Sequence, residues 1–385
     1  MTNLFLNGVK VGVRHGDSYT FNKENTFERM IELQPEIILV FSAEFDPHHY
    51  KVWDAYLAHS TLKSCIVCHS YKSYYHHHHT DHLRTSVPLF SEETGFNIND
   101  LGHVPSLKAL LYPANISRNW MYFYTLPKQD HVNKNLKHIH IGHGDSDKSS
   151  SSTRVQKIYD HSLVADAMAM DRYAKNHIAL PADHFLLMGA PVFPGIEVSE
   201  GPSPIDHLLY LPTFEGPSHL MNYSSLSYVS QLLAKEFKTN TLSILYHPHP
   251  AMGLRVNEYK LISDQFLESS AFNKKSKVEH FNTSNAAICD ISGVTSEYLF
   301  TGKPIIIPFN SSFNFEKLLN PEFKKICYFW DIDHISIRNF LRSIVHDPLR
   351  KNRMEFRNRK FMHAKSFAES VSNFDNALSK AFISV

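Results

Sequence analysis

Residues 286–309 (AAICDISGVTSEYLFTGKPIIIPF) read as a strand over 286–290, a hydroxyl-rich turn, a short helix from about Thr295 and a second buried strand over 304–308. Two buried strands joined by a helix imply a parallel sheet, and no other feature of the chain narrows the fold as much. The turn also has chemistry. A helix start leaves backbone N–H groups unpaired and carries partial positive charge, so Ser292, Gly293, Thr295 and Ser296 can hold phosphate oxygens there. Gly293 lets the backbone approach a ligand closely. Ser and Thr are equally the usual residues of an ordinary helix cap, so this turn alone leaves both readings open.

The same alternation runs through the rest of the chain. In the first half, apolar runs at 36–42 and 63–68 flank a helix-like stretch over 49–59, and further runs follow at 109–112, 138–141, 157–164 and 185–188. Residues 191–204 hold Pro191, Pro194, Gly195, Gly201, Pro202 and Pro204, the composition of a linker. Beyond it, strands at 207–211 and 241–246 alternate with helices near 226–237 and 257–268 before the segment at 286–309. The expectation is an α/β protein of two doubly wound, Rossmann-like domains, 1–195 and 205–385, facing each other across a cleft. Ligands of such sheets sit outside the carboxyl ends of the strands.

Composition removes several classes. With 39 basic and 38 acidic residues, the net charge of +1 supplies no general attraction to nucleic acid. Cys65, Cys68, Cys289 and Cys327 are too few for a disulfide framework; Cys65 and Cys68 form a CxxC without a second pair at zinc-finger spacing, so buried thiols and a cytoplasmic location are expected. No apolar run approaches the ~18–20 residues of a membrane span, and the N-terminus lacks the pattern of a signal peptide. Residues 73–82 hold five histidines, but ligands crowded at consecutive positions rarely complete one tetrahedron, which favours a solvent-exposed loop.

Three clusters at strand ends can do chemistry. Gly142-His143-Gly144-Asp145 puts a histidine between two glycines after an apolar strand; His143 is suited to deprotonate a hydroxyl, with Asp145 orienting it, although a capped turn histidine has the same spelling. His247-Pro248-His249-Pro250 follows the strand at 241–246, and its prolines fix the backbone so that a protonated imidazole can donate to a phosphate oxygen. The turn from Asp290 to Glu297 is the third, joined by Thr213 at the end of the strand at 207–211. A Walker lysine pattern, a GxGxxG after the opening strand of either half, HExxH and GxSxG are all missing from the sequence, which disfavours nucleoside triphosphate hydrolysis and nicotinamide chemistry.

In this order, the clusters resemble the CDP-glycerol glycerophosphotransferases, the primases and polymerases of wall teichoic acids and related capsule polymers. The matching positions are His143-Gly144, Pro212-Thr213, His249-Pro250, Asp290-Ile291-Ser292-Gly293-Val294-Thr295-Ser296-Glu297 and Gly302-Lys303-Pro304, within residues 105–310. The second serine of the family's pair is Gly293 here, its closing aspartate is Glu297, and Gly-Asp-Ser-Asp-Lys follows His143, so the alditol and the acceptor stay open. The resemblance implies a GT-B fold with the donor nucleotide in the C-terminal half. His143 would then activate the acceptor, while His249, Ser292 and the Thr295–Ser296 turn would bind the donor pyrophosphate.

The expectation is therefore transfer of a polyol phosphate from a CDP-linked donor to a hydroxyl of a saccharide or lipid-linked acceptor, with release of CMP. His143, Asp145 and His249 are the catalytic candidates; Thr213, His247, Ser292, Gly293, Thr295, Ser296 and Glu297 are the substrate-binding ones. Neither a cofactor nor a resident metal is called for. The competing readings are a nucleotide-sugar glycosyltransferase of the same architecture and a histidine-rich metal or polyanion binder. Residues 350–360 (RKNRMEFRNRK) form a basic helix that either rests on an anionic bilayer, making the protein peripheral on the inner face of the membrane, or docks its apolar residues on the protein.

Overall fold

The structure, a computed structural model, describes residues 2–6, 9–15, 18–21, 23–41, 51–68, 86–88, 98–113, 135–142, 152–216, 222–237, 242–269, 276–311 and 320–383. They form two compact units. Unit 1 takes the described residues up to 142, then 152–188 and those from 371 onward; unit 2 takes 189–370.

Unit 1 opens with an antiparallel three-stranded sheet that the sequence reading did not assign: β1 (Thr2–Leu6), β2 (Val9–His15) and β3 (Ser18–Phe21), in that order. A seven-stranded sheet follows, built from β4 (Ile37–Phe41), β5 (Ser64–Cys68), β6 (Ser86–Pro88), β7 (Ala109–Tyr112), β8 (Lys137–His140), β9 (His161–Val164) and β10 (Phe185–Leu187). Its order is β10-β9-β8-β7-β4-β5-β6 and its pairs are parallel. The chain winds outward from β4 to β6, then returns to β7 on the other side, which makes the β4/β7 boundary a switch point.

The apolar runs are continuous because both faces of this sheet are covered. Ile37, Ile38 and Leu39 are fully buried, with Met30 from the helix Lys23–Leu33 packed in the same core. Cys65 and Cys68 belong to this packing. Both are free thiols without access to solvent, and burial pushes Cys65 up to about 12 and Cys68 higher still. The run at 157–164 is not one strand. A 3₁₀ turn occupies Arg154–Ile158, held where Thr153 N and Oγ1 each donate to Gln156 Oε1 at 2.7 Å, and β9 starts only at His161.

Unit 2 carries β11 (His207–Leu211), β12 (Ser243–Tyr246), β13 (Ala286–Cys289), β14 (Ile305–Phe309) and β15 (Tyr328–Asp331). The order β12-β11-β13-β14-β15, again parallel, puts its switch point between β11 and β13. Strand β13 is completely buried, as its Ala-Ala-Ile-Cys sequence dictates. The helices Leu226–Phe237 and Asn257–Ser269 contribute Leu226, Val229, Leu233 and Phe266 to the same core.

Two C-terminal helices are anchored by long-range contacts. The helix Arg350–Lys360 is present, but Arg353, Arg357 and Lys360 are each at most 1% exposed, and Phe356 and Phe361 are buried with them. Arg353 donates to the carbonyls of Gly302 (3.1 Å) and Ile326 (3.2 Å) and pairs with Asp347, while Arg357 donates to the carbonyls of Phe300 (2.7 Å) and Ala364 (3.0 Å). Half of the segment's basic side chains are thus internal, and the docked arrangement holds. The last helix, Phe367–Ile383, passes from unit 2 into unit 1, whereas the sequence reading ran the second domain to 385. Phe374 packs against Trp53 (5.9 Å between centroids) and Tyr56 (5.5 Å) of the helix Lys51–His59. Asp375 accepts from Ser60 Oγ (2.6 Å) and from Thr61 N (2.8 Å) at the end of that helix.

Candidate functional site

In unit 2, β11 lies between β12 and β13, so the loops that leave these three strands at their carboxyl ends are neighbours. Asp290, fully buried after β13, ties two of them together. Its Oδ2 accepts the backbone N–H of Thr213 at 2.8 Å and of Ser225 at 3.1 Å, the latter at the entry to the helix Leu226–Phe237. Thr213 is thereby fixed at the switch point with its side chain 1% exposed, and its Oγ1 has no hydrogen-bond partner among the described residues. Burying a hydroxyl without a partner costs about 1–3 kcal/mol.

The loop after β11 also shapes the loop after β12. The Phe214 ring lies 4.8 Å from the His249 ring, and Ala251 N donates to His249 Nδ1 at 3.0 Å. With Nδ1 accepting, the proton of the neutral ring sits on Nε2, which is the nitrogen able to donate. Glu215, 3% exposed, accepts from Gly253 N (2.9 Å), Arg255 N (2.8 Å) and Val256 N (3.0 Å). Burial raises the Glu215 carboxyl, but these backbone donors outweigh it and hold the group below the usual range. Gly253 sits at φ +74°, with Lys260 N only 2.6 Å from where a Cβ would be, so another residue there would displace the loop. Sequence reasoning named Thr213 and His249 but missed Phe214 and Glu215, for which the Thr-Phe-Glu-Gly spelling carries no signal.

His247, the other half of the His-Pro pair, is in a different electrostatic setting from a free imidazole. Burial, with His280 and Lys277 nearby, pulls it down to about 4, which leaves it neutral near pH 7 in the unliganded protein. The turn after Asp290 differs too. Its helix, Gly293–Leu299, starts two residues earlier than expected and spans seven residues, which gives only a small dipole. Thr295 Oγ1 donates to the Asp290 carbonyl at 2.6 Å, so that hydroxyl is used within the fold, and Ser296 is buried. Ser292 makes no capping bond, its Oγ lying 3.5 Å from Thr295 Oγ1. Glu297 forms an ion pair with Lys277 at 2.6 Å.

In unit 1, His143 and Asp145 lie outside the described residues, as does the histidine run at 73–82. What is described is the approach to them. After β8 the chain reaches Gly142 at φ +64°, and Trp53 Nε1 donates to its carbonyl at 2.7 Å. Among the described residues, no group of three His, Cys, Asp or Glu side chains is placed to hold a metal ion, and no helix is long and apolar enough to cross a membrane.

Two buried histidines give the stability a pH signature. His184, whose Nε2 lies 2.9 Å from Ser162 Oγ, is pulled down to about 4 by burial and by His161, and His247 matches it. Between about pH 6.5 and 4 the unfolded chain binds protons that the folded chain refuses, so stability is intact above that window and lost on descending through it. The melting temperature should fall steadily from pH 6.5 to pH 4. A His184→Gln variant should flatten that slope; an unchanged slope would remove His184 from the account.

No family model and no curated protein sequence matches the chain. Solved structures do. The wall teichoic acid polymerase TagF aligns at 11% identity and a TM-score of 0.54, covering 94% of this chain and 93% of that one. A glycosyltransferase from Rickettsia africae ESF-5 aligns at 11% identity and 0.53, covering 91% and 99%. Anabaena HepE, solved with UDP and glucose, aligns at 7% identity and 0.54, covering 91% and 100%. At such identities the likeness concerns the fold, and the fold is α/β with two parallel sheets, shared with GT-B proteins.

Proposed function

We propose that the protein transfers a polyol phosphate from a CDP-linked donor to a hydroxyl of a saccharide or lipid-linked acceptor and releases CMP. The acceptor oxygen attacks the β-phosphorus, the bond from that phosphorus to the CMP oxygen breaks, and CMP leaves with the bonding electrons. His143 takes the proton of the acceptor hydroxyl. The Thr213 hydroxyl and the His249 Nε2–H donate to phosphate oxygens as charge moves toward the leaving group, a kind of preorganised contact that contributes about 3–4 kcal/mol in well-studied enzymes. Ser292 and the backbone of Gly293 complete the donor side.

The observation that carries this reading is the Thr213 hydroxyl, buried at the β11/β13 switch point with no partner among the described residues, next in sequence to Phe214, whose ring packs on a histidine of fixed tautomer. A nucleotide-sugar glycosyltransferase would use the same unit 2 contacts for its diphosphate and differ in the atom attacked, carbon in place of phosphorus. TagF carries the polymerase reading by name, and HepE was solved with UDP and glucose, so fold alone does not choose between the two.

Thr213→Val, which keeps the shape and removes the donor, tests the site. It should raise the donor KM or lower kcat so that kcat/KM falls about 10–100-fold, in line with loss of one hydrogen bond to a charged oxygen. Stability should be unchanged or slightly improved, because a buried polar atom without a partner among the described residues disappears. Full turnover by Thr213→Val would take this hydroxyl out of the donor site.

A further inference from the structure

The residues assigned so far to the donor side bring hydroxyls, neutral imidazoles and carboxylates. Asp290, Glu215 and Glu297 are acids, and His247 is uncharged near neutral pH. A diphosphate-linked donor carries two negative charges, which such a set does not neutralise.

Lys277 is placed to supply the missing charge. It is the first residue of the helix Lys277–Thr283, which feeds β13. Its contacts put it beside the residues that follow β12 and β13 at their carboxyl ends, His247 through His280 and Glu297 directly. One turn further on, the His280 ring meets the His247 ring at 5.5 Å. The Lys277 ammonium is 2.6 Å from Glu297 Oε2 and 3.5 Å above the centre of the Phe193 ring. Both charged side chains keep about a fifth of their surface exposed, 22% and 23%, so the pair is neither sealed in the core nor fully solvated. Such a pair exchanges partners readily, because neither ion has given up all of its water.

We infer that Lys277 is a ligand of the donor's diphosphate, held in the unliganded protein by Glu297 and transferred to the phosphate oxygens when the donor binds. The inference rests on the reading that unit 2 takes a nucleoside diphosphate-linked donor. It reassigns Glu297, which competes with the ligand for the lysine instead of contacting it.

Binding of CDP and CMP to the full chain, measured by calorimetry at two salt concentrations, tests it. Lys277→Met should weaken CDP about tenfold or more and CMP less, with a shallower salt dependence, while Lys277→Arg, which keeps the charge, should stay within about threefold of the parent. Glu297→Gln should tighten CDP, and that gain should vanish in the Lys277→Met background. Melting temperatures identify any variant that has simply lost its fold, and the Arg and Gln variants keep the test decisive in that case. Equal CDP affinity in the parent and a folded Lys277→Met would overturn the role of Lys277, as would a Glu297→Gln gain that survives without the lysine. A parent protein that binds none of CDP, UDP, GDP or ADP would instead remove the donor reading, and this inference with it.

Discussion

Arg353→Ala should destabilise unit 2 by about 3–5 kcal/mol, because it removes one partner of a fully buried ion pair and leaves the other uncompensated. The Arg353 side chain is inaccessible to solvent and serves Asp347, the Gly302 carbonyl and the Ile326 carbonyl together. Asp347 also accepts from Tyr328 Oη at 2.8 Å, so its charge cannot reach water when the guanidinium is gone. The double variant Arg353→Met with Asp347→Leu should recover part of the loss, since it leaves no buried charge. Urea denaturation followed through the buried Trp330 measures both. The consequence extends to the site: the anchored carbonyls of Phe300 and Gly302 end the helix that begins at Gly293, so a loosened Arg350–Lys360 helix should also weaken nucleotide binding. An Arg353→Ala protein as stable as its parent would contradict the burial of this network.

His143→Ala should lower CMP release by about 10²–10⁴-fold, the usual contribution of a general base, while leaving CDP affinity close to that of the parent. Two jobs fall to two parts of the chain: the proposed donor-side contacts all lie in unit 2, whereas His143 follows β8 of unit 1 in sequence. A His249→Ala variant should lose donor affinity as well as rate, because its Nε2–H is assigned to a phosphate oxygen. If His143→Ala kept full turnover, the base would have to be sought elsewhere on the chain.

Much of the fold was legible in the sequence because fully buried parallel strands spell themselves as uninterrupted apolar runs. Strands β7 and β11 were read with their observed bounds, and β4, β5, β13 and β14 within one or two residues. What was not legible depended on distant partners. Nothing in RKNRMEFRNRK says that Arg353 and Arg357 point inward, since each is anchored in part by a distant carbonyl, Gly302 at 51 residues' separation and Phe300 at 57. The return of the C-terminal helix to unit 1 rests on Phe374 meeting Trp53 and Tyr56, again a long-range contact. At the site, residue types that carry chemistry were visible as clusters at strand ends, whereas the residues that hold them were not. Asp290 was seen as part of a turn, but its tie to Thr213 and Ser225 follows only from the strand order. Glu215 and Lys277 were passed over because single acids and lysines are common on any surface. Thr295 was assigned to the ligand from its place in the turn, yet its hydroxyl is taken by the Asp290 carbonyl.

Phosphotransfer and glycosyl transfer differ in the bond that breaks, and the nucleotide product reports which one it is. The parent protein, supplied with crude lipid-linked acceptor, should be given CDP-glycerol and CDP-ribitol beside UDP- and CMP-sugars, and the nucleotides released from each identified by chromatography. CMP from a CDP-alditol, dependent on acceptor, is the product expected of phosphotransfer. Turnover of a sugar nucleotide alone would contradict it, leaving the two-sheet fold in place and moving the chemistry from phosphorus to carbon.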